Sequence, residues 1–167
     1  MSGFADTTTV SPEKTRAEIE ATLRKYGADQ FVAGWDNLAA RATVMFRHKD
    51  RVIRFVLPLP DPADDRFTKR PKRHTWSVSV SHPPAKAAAM YEQAVRTVWR
   101  RLLLCIKAKL ESVATGIETF EEAFLAQTVL PDNTTVGQWA AVEIPAAIAA
   151  RAMPASLLAL PPAKESP

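Results

Sequence analysis

The chain has 167 residues, with 22 Lys and Arg against 18 Asp and Glu, 47% apolar residues and one cysteine. That length fits one domain with no need of a second core, and the single Cys105 excludes an internal disulfide framework and points to a reducing compartment. The charge is concentrated: residues 41–109 hold 16 basic against 5 acidic side chains, between mildly acidic flanks, as expected of a surface selected to meet a polyanion.

Residues 1–10 show no charged leader followed by an apolar stretch; they read as a flexible N-terminus in a cytoplasmic protein. Ser11-Pro12-Glu13 then starts a helix. A serine oxygen caps free amides, proline tolerates the first helical position, and glutamate favours the positive end. The helix is expected to run to Tyr26, with Gly27 as its left-handed stop.

Beyond Gln30 the pattern changes to short β-branched and aromatic runs at 31–35, 42–46 and 52–57, which predict three strands, the last two forming a hairpin. Trp76, Val78 and Val80 alternate with serines and predict a fourth, half-exposed strand. The stretch 58–74 between them has early prolines and an acidic then basic run. It is read as a mobile basic loop, too polar to pack.

Pro83-Pro84 opens a long helix to about Thr115, with Tyr91, Val95, Val98, Leu102, Ile106 and Val113 at helical spacing and Gly116 ending it. Cys105, inside its apolar run, is expected to be a small buried hydrophobe. Thr119-Phe120-Glu121-Glu122 fits a capping box for a short helix to about Val129, and Thr135-Val136-Gly137-Gln138 fits another for the C-terminal helix. Glu143, Pro145, Arg151 and Pro154 keep that last stretch far from the ~20 apolar residues of a membrane span. The expected fold is α+β: an N-terminal helix, a four-stranded, mainly antiparallel sheet, a long helix and two shorter ones, forming one domain over 11–152, with 153–167 a flexible tail.

Three groups of cations are the candidate site. The hairpin carries Arg47, Lys49, Arg51 and Arg54, beside His48. The loop carries Arg66, Lys69, Arg70, Lys72 and Arg73, next to His74 and Trp76. On the long helix, Arg96, Arg100 and Lys107 fall within about 40° at 100° per residue, opposite Val95, Leu102 and Ile106. Such groups can follow a phosphate backbone and release counterions, and an exposed Trp76 could stack on an unpaired base, although a core place beside Val78 and Val80 is the alternative. Trp99 is expected in the core. Solvated loops and helix faces are the ordinary roles of such cations, so the nucleic-acid reading requires all three groups to converge.

Enzyme signatures are missing: no glycine-rich phosphate loop, paired-Cys motif, Gly-x-Ser-x-Gly elbow or His-Glu-x-x-His helix is present. Asp61, Asp64 and Asp65 with His74 or His82 have the chemistry of a hard-metal site, but a loop holds such ligands poorly. They are expected to pair with the loop's own cations. No cofactor or catalytic residue is assigned.

Trp99-Arg100, Leu102-Leu103-Leu104, the run Ile106-Lys107-Ala108-Lys109-Leu110-Glu111, Gly116-Ile117, Thr119-Phe120-Glu121, Phe124-Leu125, Leu130-Pro131 and Thr135-Val136-Gly137 with Trp139 together resemble an uncharacterised family of small phage- and prophage-encoded proteins. The likeness covers the C-terminal half strongly and the amphipathic start and hairpin more weakly. It implies a bacterial cytoplasm and either nucleic-acid metabolism or interference with host machinery. The leading expectation is a non-enzymatic protein that binds nucleic acid, DNA rather than RNA, in replication, recombination or packaging; one form is a single-strand binding or annealing protein that self-assembles. The alternative is a protein-binding inhibitor or adaptor, its basic face set against an acidic host or defence protein.

Overall fold

The computed structural model describes residues 5–36, 38–70 and 80–152. Helix α1 spans Pro12–Lys25, and its Ser11 cap accepts from the Lys14 N–H. Gly27 follows at φ +89°, the left-handed region where the chain can turn away without a Cβ clash. Strands β1 (Ala28–Asp36), β2 (Arg41–His48) and β3 (Arg51–Pro58) form an antiparallel sheet in the order β1-β2-β3. In the turn after β1, the Asp36 carboxylate accepts from the Leu38 and Ala39 N–H groups, both at 3.0 Å.

Alternation along the strands separates two faces. Ala42, Val44 and Phe46 of β2 and Ile53, Phe55 and Leu57 of β3 are buried, with Val44 opposite Phe55 and Phe46 opposite Ile53. Helix α3 (Pro84–Ala114) lays Trp99, Leu102, Leu103, Ile106 and Leu110 into the same core, joined by Ile19 and Leu23 from α1. Gly116, at φ +74°, follows the α3 cap residue Thr115.

Helix α4 (Phe120–Phe124) is shorter than expected from the sequence; it passes into a 3-10 turn at Leu125–Gln127. The reason is at the sheet edge. The Val129 N–H donates to the Val52 carbonyl at 2.8 Å and Ile53 bridges Thr128, so the chain must leave the helix to cover part of the β3 edge. Phe124 closes the core, edge-on to Phe46 and Phe55 at 5.8 and 6.4 Å and stacked on Phe120 at 4.7 Å. Helix α5 (Val136–Ala150) comes last, held at its start by a reciprocal capping box of Thr135 and Gln138.

Two expectations need correction, and a third, the strand predicted from Trp76 to Ser81, lies largely outside the described residues. The described part of 58–74 packs: α2 (Asp65–Thr68) buries Phe67 edge-on to Tyr91 at 5.9 Å, because one aromatic side chain is enough to anchor a polar segment. Cys105 is exposed; five consecutive apolar helical residues cover more than a full turn, so some must face away from the core. The described sheet has three strands. Trp76 and Val78 lie outside the described residues, and of that stretch Ser81 bridges Lys69 while the Arg70 N–H donates to the Val80 carbonyl.

Candidate functional site

The cations singled out by the sequence are largely met by acceptors close by. Arg47 makes a forked pair with Asp29 across the β1–β2 ladder, Nε at 2.9 Å and Nη2 at 2.8 Å, and the hydrogen bonds from Arg47 hold the Asp29 carboxyl below its ordinary range. Arg51 lies 3.4 Å from Glu121 and 3.9 Å from Asp50. Arg54 donates to the Asn133 side chain at 3.1 Å, the Asn133 carbonyl at 2.8 Å and Gln138 at 3.2 Å, which ties β3 to the first turn of α5. Arg66 pairs with Asp64 at 3.1 Å and Lys69 with Asp65 at 2.8 Å, the local pairing expected for those carboxylates.

On α3, Arg96 pairs with Glu92 at 3.1 Å, while Arg100 and Lys107 both reach Glu18 of α1 at 2.6 Å. These last two are brought together, but as a clamp between helices. The hairpin, loop and helix groups each answer to different carboxylates, so their local fields are largely cancelled. Lys49 and Arg70 have no carboxylate partner among the described residues; Lys72, Arg73 and Trp76 lie outside them.

Two other surfaces stand out. The first is an open cleft of about 420 Å³ where the start of α1, the end of β1 and α3 meet. Trp35 is 60% exposed there, and the Arg16 guanidinium lies over its ring, 5.2 Å from the centroid, and 5.8 Å from that of the buried Trp99. Leu59, Tyr91 and Val95 supply apolar wall, while Glu13, Glu92 and Arg96 supply charge.

The second surface is α5. Gln138 and Glu143 are its only polar side chains, and Val142, Ile144 and Ile148 are 68%, 51% and 72% exposed. No residue of this helix is buried, and Trp139 is only half-buried. It is attached at its N-terminal end, where Gly137 lies so close to the Ala126 carbonyl that a Cβ would come within 2.8 Å of it.

No protein family, curated protein or solved structure matches the chain. No helix among the described residues is long and apolar enough to cross a membrane.

Sequence reasoning passed over Arg16 and Trp35. The available signal was position: Trp35 falls at the end of its strand beside Asp36, where a bulky ring reaches past the core, and Arg16 stands on the helix packed next to that strand. What the sequence lacked was the pairing across the two elements.

Proposed function

We propose that this chain is a non-enzymatic protein-binding module, an inhibitor or adaptor that docks through α5. The observation that carries this is the exposed apolar surface of Val142, Ile144 and Ile148 on a helix with one charged residue. A helix that is apolar on all sides is normally covered, and burying each such side chain against a partner yields about 1.5–3 kcal/mol. In the setting implied by the phage resemblance, the partner is a host or defence protein with an apolar groove of helix width, in the bacterial cytoplasm. Tagged full-length protein in nuclease-treated bacterial lysate should retain one stoichiometric partner, and an Ile144→Glu/Ile148→Glu double variant should lose it. Identical captures by both proteins, or none by either, would sink the reading.

A nucleic-acid-binding role is the second reading, supported by Lys49 and Arg70, which lack a carboxylate partner among the described residues, and by Lys72, Arg73 and Trp76 in the same stretch as Arg70. In this form the protein holds single-stranded DNA in replication, recombination or packaging. Anisotropy titrations with single- and double-stranded DNA at about 50 and about 200 mM salt test it. The expected result is affinity that falls with salt and is lost when Arg70, Lys72 and Arg73 are replaced by alanine. No binding at the lower salt removes it.

A further inference from the structure

We propose that the cleft between the start of α1 and the N-terminal half of α3 is a peptide-binding site, taking an apolar or aromatic side chain that adjoins a carboxylate. Arg24, Arg47, Arg96, Arg100 and Arg101 each lie within 3.1 Å of a carboxylate oxygen, whereas Arg16, half-buried, lies over the faces of two indoles and makes no ion pair within 4.0 Å among the described residues. Carboxylates lie along α1, but Glu20 pairs with Arg24 at 2.5 Å, and Glu13, whose carboxyl is held below its ordinary range first by its own backbone N–H and Ser11, feels Arg16 as a weaker, through-space charge. A guanidinium laid over aromatic rings keeps its rim of N–H donors for an oxyanion, and the forked geometry suits a carboxylate or phosphate.

The remaining groups choose between those two anions. Arg96 is matched by Glu92 at 3.1 Å, and Glu13 balances Arg16, so the four charges lining the cleft sum to zero. A doubly charged phosphate would meet two carboxylates at close range. A single carboxylate carried by a peptide avoids most of that repulsion, and its backbone N–H groups offer donors to Glu13. The exposed face of Trp35, with Leu59 and Val95, supplies a platform for the neighbouring apolar side chain, and an opening of about 420 Å³ suits one or two residues of a ligand. Trp, Tyr and Arg together are also the residue types that dominate protein-recognition hot spots.

The inference rests on the protein-binding reading for the class of its occupant alone. It uses no residue of α5, so failure of α5-dependent capture leaves it standing.

The probes are the peptide Ac-Gly-Asp-Phe-Gly-amide, its Asn counterpart and adenosine 5′-monophosphate, titrated into the full-length protein by calorimetry and tryptophan fluorescence. We expect saturable binding of the Asp peptide, with the Asn peptide weaker by roughly tenfold, since a hydrogen bond to a charged group contributes enough for that factor. Trp35→Ala and Arg16→Gln should each weaken binding by about tenfold with unchanged circular dichroism, and Arg16→Lys should fall between, keeping the charge without the stacked fork. Trp35 is exposed, so its variant tests the site even if Arg16→Gln misfolds. Absence of saturation, equal affinity for the two peptides, or tighter binding of adenosine 5′-monophosphate would overturn the assignment.

Discussion

Glu18 accepts from Arg100 Nη1 and Lys107 Nζ, both at 2.6 Å, and so joins α1 to α3 through side chains 82 and 89 residues apart. The hydrogen bond from Lys107 and the charge and hydrogen bond of Arg100 outweigh burial and hold the Glu18 carboxyl below its ordinary value of 4.5. A carboxyl whose folded pKa is depressed stabilises the fold above its unfolded pKa, and that contribution disappears as pH falls through the folded value. The pair is partly solvated, which limits its worth to about 1 kcal/mol or less. Glu18→Gln should therefore lose up to about that amount at pH 7 in urea unfolding, and should flatten the stability decline on the acid side of pH 4.5. Identical pH profiles for the two proteins would show that the clamp contributes nothing. The arc shared by Arg96, Arg100 and Lys107 was legible from spacing, because helical geometry is local. That Glu18 would stand opposite two of them was not, since no periodicity relates α1 to α3.

At the scale of elements, starts and stops were read most reliably, because a cap is decided by two or three neighbouring residues. Ser11, Thr119 and Thr135 all cap as their spacing implied, and Gly27 and Gly116 both adopt positive φ. The end of α4 was not legible, since it is set by Val52 and Ile53 drawing residues 128–129 to the edge of β3. Gly137 illustrates the same dependence. Within a helix, alanine exceeds glycine by about 1 kcal/mol, yet here an added Cβ would lie 2.8 Å from the Ala126 carbonyl oxygen and 3.3 Å from its Cβ. Backbone cannot yield as a long side chain does, so Gly137→Ala should destabilise the protein by about 1–3 kcal/mol. Greater stability in thermal or denaturant unfolding would mean that α5 is free to shift away from the 3-10 turn.

For the molecule as a whole, the core draws on α1, β2, β3, α3 and α4, and α5 adds nothing to it. The Ile144→Glu/Ile148→Glu variant should therefore unfold within about 0.5 kcal/mol per site of the parent, as surface substitutions do. Its loss of partner would then be a loss of contact rather than of fold. A drop of several kcal/mol would instead show these side chains to be packed in the solution structure, and would remove α5 as a docking surface. Long-range charge follows a similar logic. The excess of Lys and Arg over residues 41–109 is real in composition, but many of those groups face carboxylates supplied by distant parts of the chain, Arg47 by Asp29 and Arg51 by Glu121.

Local sequence was enough for the order and type of α1, the three strands, α3, the start of α4 and α5, for the caps at Ser11, Thr119 and Thr135, and for the apolar faces of β2, β3 and α3, because propensity, capping and periodicity act over a few residues; α2 was not among them. Packing between elements set Glu18 against Arg100 and Lys107, brought Trp35 and Arg16 together at a cleft, and left Val142, Ile144 and Ile148 of α5 exposed among the described residues. Those outcomes depend on how separate elements are juxtaposed, and no short window of sequence contains both partners.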